Sequence, residues 1–165
     1  MANVLLPTDL SISSLYPIHE ICRQAGNEPC NIHVIHTLSM PTGIMDLLFL
    51  QEKRPYKMLP ASFLEAMDLL RTKYSAVIGK LSFEFLWGHS RGFLRNYMEA
   101  RSIETIYMLK EREYKPALPE SVDCRTTLHQ CQLPVVYVQK KEKEEYGTLT
   151  TLLYRERKTS ITEKV

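Results

Sequence analysis

Apolar residues in this chain follow two rhythms that take turns. Short runs of aliphatic and β-branched residues alternate with longer stretches whose apolar positions recur every three or four residues. Val4-Leu5-Leu6, stopped by Pro7-Thr8-Asp9, is the first short run and reads as a buried strand. Leu15, Ile18, Cys22 and Ala25 then recur at helical spacing, with Ser11, Ser13 and Ser14 as candidate caps and Gly26 as the stop. Asn31–Leu38 is rich in β-branched residues and predicts a second strand. Pro41–Pro60 is irregular, and the apolar cluster Ile44–Leu50 within it predicts a short helix. That cluster has two readings, as core covering the sheet edge or as an exposed patch for a partner or small ligand. Phe63, Met67, Leu70, Tyr74 and Val77 mark an amphipathic helix that starts near Ala61 and is expected to stop at Gly79.

Leu81–Trp87 alternates and ends at Gly88, which predicts a third strand. Ser90 suits the cap of a helix reaching Arg101, with Leu94, Tyr97 and Met98 on its apolar face. Ile103–Leu109 predicts a fourth strand, and charged Lys110–Glu120, with Pro116 and Pro119, a loop. Ser121 is expected to start a helix on which Cys124, Leu128 and Cys131 share one face, and Pro134–Val138 is a fifth strand. Beyond Gln139 come a charged turn, a candidate extra strand over Tyr146–Tyr154 and a polar tail from Arg155. Strands and helices in alternation, with crossovers of helical length, predict an α/β three-layer sandwich built on a mainly parallel sheet. The expected domain is 1–139, with 140–165 appended to it.

Composition narrows the function classes. At 165 residues the chain suits one domain with a core of its own. A net charge of +2 provides no basic face, so neither nucleic acid nor an acidic membrane is an expected partner. Cys22, Cys30, Cys124 and Cys131 form no C-x-x-C pair and are expected as reduced, mostly buried thiols. The opening residues lack the basic region of a signal peptide, and no apolar stretch approaches the ~18 residues of a membrane span, so a cytoplasmic protein is expected.

Several strings, in order, resemble the universal stress protein family. Val4-Leu5-Leu6-Pro7-Thr8-Asp9-Leu10-Ser11 is similar to the family's opening strand and P-T-D-x-S turn, and Ile35-His36-Thr37-Leu38 to the end of its second strand. Leu81–Glu84 through Gly88, then Ile103–Met108, resemble the third strand, glycine turn and fourth strand, and Pro134–Val138 the last. The resemblance spans residues 3 to 139. It implies a five-stranded parallel sheet in the order 3-2-1-4-5, commonly a homodimer through the fifth strand. It also implies a nucleotide site at the carboxyl ends of strands one and four, where strand order reverses. There Asp9 and Thr37 would flank adenine, Pro7 would lie near the ribose, and Ser121 would be the surviving serine of the phosphate motif.

The phosphate motif itself is where this sequence departs. Nucleotide-binding members carry G-x2-G-x9-G-[ST] after the fourth strand, whereas Met108–Ser121 holds no glycine, and Glu120 stands where the last one belongs. Glycines let backbone N–H groups converge on phosphate; Pro116 and Pro119 remove two such donors, and Glu111, Glu113 and Glu120 repel it. Pro7, Asp9, Thr37 and Ser121 are therefore expected as a vestigial nucleotide site, with no cofactor. Asp9 has an equally good reading as the residue that closes its own turn. Lys110, Arg112 and Lys115 read as a charge-compensated loop, with an anion grip as the competing reading.

No catalytic set assembles from the sequence. The serines near residue 11 serve as caps, and Gly88-His89-Ser90-Arg91-Gly92 has the wrong order for a nucleophile elbow. His33 and His36, an odd step apart on one strand, face opposite ways and cannot share a metal. Cys124, His129 and Cys131 lack the tight pairing of zinc sites. The expected function is a non-enzymatic universal-stress-protein-like module for stress response or signalling through protein contacts. Two alternatives stand beside it: an adenine-nucleotide-binding stress protein with a modified phosphate site, and a hydrolase or transferase on the same fold.

Overall fold

The computed structural model describes residues 1–44, 55–110 and 112–139. Five strands, β1 (Ala2–Pro7), β2 (Cys30–Leu38), β3 (Ile78–Trp87), β4 (Thr105–Leu109) and β5 (Val135–Val138), form one sheet. Its order is β3-β2-β1-β4-β5, as the resemblance implies, and every pairing in it is parallel. The helices are α1 (Pro17–Ala25), α2 (Ala61–Lys73), α3 (Arg91–Ala100) and α4 (Arg125–His129), with 3-10 turns at Ile12–Leu15 and Pro55–Met58.

Side-chain alternation along the strands divides the core in two. Val4 and Leu6 of β1, with Ile32 and Val34 of β2, face α1 and α2, where Ile18, Cys22, Phe63 and Leu70 meet them. Leu5, Ile35 and Ile106 face the other way, against Leu94 and Met98 of α3 and Leu128 of α4. A strand buried on both sides needs apolar residues in succession, which is why Val4, Leu5 and Leu6 run unbroken. The chain steps from β1 to β2 to β3 in one direction, then returns to place β4 on the other flank of β1. A cleft forms at the carboxyl ends where these directions part.

Among the boundaries that differ from the sequence expectations, two have a clear physical cause. The helix α2 ends at Tyr74, whose N–H bonds back to Leu70, and Val77 and Ile78 both bond to the Tyr74 carbonyl. Gly79 therefore stops no helix; it sits in β3 beside the register shift at Cys30/Asn31. A Cβ there would stand 3.0 Å from the Asn31 side-chain oxygen, so the residue serves the close approach of two strands. The second difference concerns Ser121, which starts no helix. It pairs with Leu38 in an isolated antiparallel bridge, and α4 begins only at Arg125. Gly26 does end α1, at φ +60.

The four cysteines are free and buried, as expected. From residue 45 onward the Ile44–Leu50 cluster lies outside the described residues, as do the charged turn, the Tyr146–Tyr154 strand and the tail. Among the described residues no helix is long and apolar enough to cross a membrane.

Candidate functional site

At the carboxyl end of β1 the chain turns sharply through Thr8-Asp9-Leu10. Leu10 has φ +66, a conformation side chains resist, and its N–H donates to the Thr8 hydroxyl at 3.0 Å. The Asp9 Oδ1 accepts from the Ser11 N–H at 3.1 Å and from the Ser11 hydroxyl, so Asp9 does close its own turn. Its Oδ2 faces Arg112 Nη2 at 3.2 Å and the Lys115 N–H at 3.3 Å. The same guanidinium donates to Ser13 Oγ at 2.5 Å and to Ser11 Oγ at 2.6 Å. The Asp9 side chain is only 4% exposed and that of Arg112 22%. A carboxylate so buried needs a cation and hydrogen bonds, and this fork supplies both.

The end of β2 is engaged in the same way. His36 is fully buried. Its Nδ1–H donates to the Thr8 carbonyl at 2.7 Å, which leaves Nε2 to accept from the Ser121 hydroxyl, also at 2.7 Å. Burial pushes the imidazole below its ordinary value, against the pull of the Thr8 carbonyl and the Asp9 carboxylate. The Thr37 hydroxyl donates to the Val122 carbonyl at 2.6 Å, the Val122 N–H returns to the Thr37 carbonyl, and the Ser39 N–H reaches the Glu120 carbonyl. Ser121 Oγ also accepts from the Leu118 N–H at 3.0 Å. Ser121 and His36 stand at the distance of a nucleophile and its base, with the base oriented by a carbonyl. With His36 wholly enclosed, the pair acts as a tie between β2 and the segment 112–122.

Little space remains at the carboxyl end of β1, although an open hollow of about 360 Å³ adjoins it past Met108, Arg112 and Arg125. Pro7, Asp9, Met108, Arg112, Tyr114 and Arg125 surround a cavity of about 30 Å³. That is room for roughly one water, far below the ~300 Å³ at which small-molecule pockets begin. The Tyr114 ring lies nearly parallel to His36, centroids 6.4 Å apart, and the Arg125 guanidinium sits 5.8 Å from the Tyr114 ring. Arg125 Nη1 also donates to the Arg112 carbonyl at 2.6 Å and thus pins the residue that fills the cleft.

Pro7, Asp9, Thr37 and Ser121 are thus gathered at one end of the sheet. Asp9, Thr37 and Ser121 each bond to the segment 112–122 or belong to it. Sequence reasoning missed the leading parts played by Arg112 and His36. Nothing local marks either: Arg112 is one cation in a charged loop, and His36 one polar residue in a strand. His33 does face away from His36, toward Ser82 and the Arg101–Glu84 ion pair. Cys124 and Cys131 lie in the core under α3, while His129 meets Tyr137 on the surface. No group of three metal-capable side chains occurs among the described residues.

No protein-family model and no curated protein matches the chain. Solved structures do. Hypothetical protein MJ0577 superimposes with a TM-score of 0.57 and 12% identity, over 86% of this chain and 98% of that one. Hypothetical protein PH0823 gives 0.52 and 15% over the same shares. The universal stress protein UspA from Lactobacillus plantarum gives 0.53 and 12%, over 83% of this chain and 97% of its own. At such identities the likeness is one of fold: this chain has the fold of the universal stress proteins.

Proposed function

We propose that the chain is a non-enzymatic, universal-stress-protein-like module of the cytoplasm. On this reading it serves stress response or signalling through protein contacts, with the usual ATP phosphate site lost. The observation that carries this reading is the filled cleft, where about 30 Å³ is left between Asp9, Arg112 and Tyr114. The absence of glycine between Met108 and Ser121 supports it from the sequence side. A homodimer through β5 belongs to the same reading. That strand lies at the sheet edge, and its Tyr137 is 49% exposed.

One observation favours a second reading, an adenine nucleotide held by a modified phosphate site. Lys110, Arg112, Arg125, Thr126 and His129 border an open hollow of about 360 Å³ at the ends of β4 and β5, together with Asp123, which pairs with Arg125 at 2.7 Å. Guanidinium and ammonium groups there would replace the missing amides, with Asp9 and Thr37 toward the base.

A thermal melt with millimolar ATP and Mg²⁺ separates the two. Binding at a hundredth of the added concentration would stabilise the fold by about 2.7 kcal/mol. For a chain of this size that raises the melting temperature by roughly 5–10 °C. The first reading expects no such rise. A rise of several degrees that Asp9→Ala abolishes would overturn it and establish the second.

A further inference from the structure

We infer that Asp9, Ser11 and Ser13 form a receptor for a guanidinium group and that Arg112 occupies it as an intramolecular ligand. The segment Arg112–Val122 then acts as a strap that keeps an outside arginine side chain from the same seat. This deepens the protein-contact reading and rests on it: the partner it implies presents an arginine.

The chemistry of the seat is what selects a guanidinium. Around Arg112 it offers acceptors: Asp9 Oδ2 at 3.2 Å, Ser11 Oγ at 2.6 Å and Ser13 Oγ at 2.5 Å. These converge on two nitrogens of one planar fork, an arrangement that a point-charge ammonium satisfies less well. An anionic ligand is excluded by Asp9, whose side chain is 4% exposed. The turn that carries the seat holds itself, and besides Arg112 the strap adds one bond to it, from the Lys115 N–H to Asp9 Oδ2 at 3.3 Å. Asp9 Oδ1 is set by Ser11, and Ser14 Oγ donates to the Ser11 carbonyl at 2.6 Å, which fixes the turn.

The occupant is less firmly built than the seat. Between Arg112 and Val122 the strap holds no helix and no regular strand, only the bridge from Ser121 to Leu38. It is fastened by side chains and single backbone bonds: His36 to Ser121, Thr37 to Val122, Ser39 to Glu120 and Arg125 to the Arg112 carbonyl. At 22% exposure the Arg112 side chain reaches its seat from the solvent side. A competitor therefore has a path of entry once the strap loosens.

Chemical rescue tests this on the full chain. Arg112→Ala should lower the melting temperature by about 4–8 °C, the loss of charge-assisted hydrogen bonds in a protein of this size. Ethylguanidinium at low millimolar concentration should restore at least half of that loss in R112A and leave wild type unchanged. Ethylammonium should restore little, and D9N/R112A should gain nothing from either. No recovery in R112A, or equal recovery in D9N/R112A, overturns the receptor. Should R112A fail to fold, the comparison moves to Arg112→Gln, which removes both the charge and the fork and leaves the seat without a cation; absence of rescue there is equally decisive. A nucleotide-induced melting shift would sink the protein-contact reading yet leave the rescue result intact, so the two failures are distinguishable.

Discussion

His36 Nε2 and Ser121 Oγ lie 2.7 Å apart although 85 positions separate them in the chain. The bond joins the end of β2 to the strap, and with Thr8 on the other ring nitrogen it satisfies a histidine that no water reaches. A neutral ring fits this setting, with one nitrogen donating and the other accepting. A charged ring would turn Nε2 into a second donor and pay the full cost of desolvation.

Acid should therefore loosen the strap before it attacks the carboxylates. The folded-state pKa of His36 lies below its unfolded value of about 6.5. Protons then bind the unfolded chain more readily, so this contribution to stability is complete above pH ~6.5 and is lost as pH falls from there toward the folded-state value. His33 is also lowered, by burial first and by Arg101 next, and adds the same sign. Melting temperature measured from pH 8 downward should begin to fall near pH 6.5, and His36→Gln should flatten that limb. An unchanged limb in H36Q would assign it to other groups.

The four thiols should react slowly in the native state. Burial raises the pKa of Cys124 to about 11 and also raises those of Cys30 and Cys131, which keeps these groups as inert thiols. Cys22 is enclosed between α1 and the sheet. A thiol reagent should label all four only after denaturant is added. Rapid labelling of the native protein would contradict the burial described here.

The β5 edge should mediate self-association. Val135–Val138 pairs only with β4 among the described strands, and Tyr137 is exposed on it. Light scattering at tens of micromolar should report a dimer, and truncation after Gln139 should weaken it. A monodisperse monomer of the full chain would exclude the arrangement.

The order of elements was legible because it depends on local rhythm. Val4-Leu5-Leu6 announces a strand buried on both faces, and Ser90 with Leu94, Tyr97 and Met98 announces α3 almost to the residue. Short-range failures came where one residue serves a distant neighbour. Gly79 looks like a helix stop in sequence, yet its role is set by Asn31 on the adjoining strand.

The sequence by itself determined the alternation that requires a parallel α/β sheet, the burial of the thiols and the lack of a glycine loop after β4. These follow from periodicity and residue type, which act over a few positions. Only the tertiary structure decided what occupies the cleft. Arg112 meets Asp9 across 103 positions, and Ser121 meets His36 across 85. Neither pairing has a local signature, because hydrogen bonds and ion pairs form between groups that folding brings together, and the charge pattern of Lys110–Glu120 suits a solvated loop just as well. The buried Asp9 carboxylate selects the nearest guanidinium the fold can deliver, and that choice exists only once β1 and β4 lie side by side.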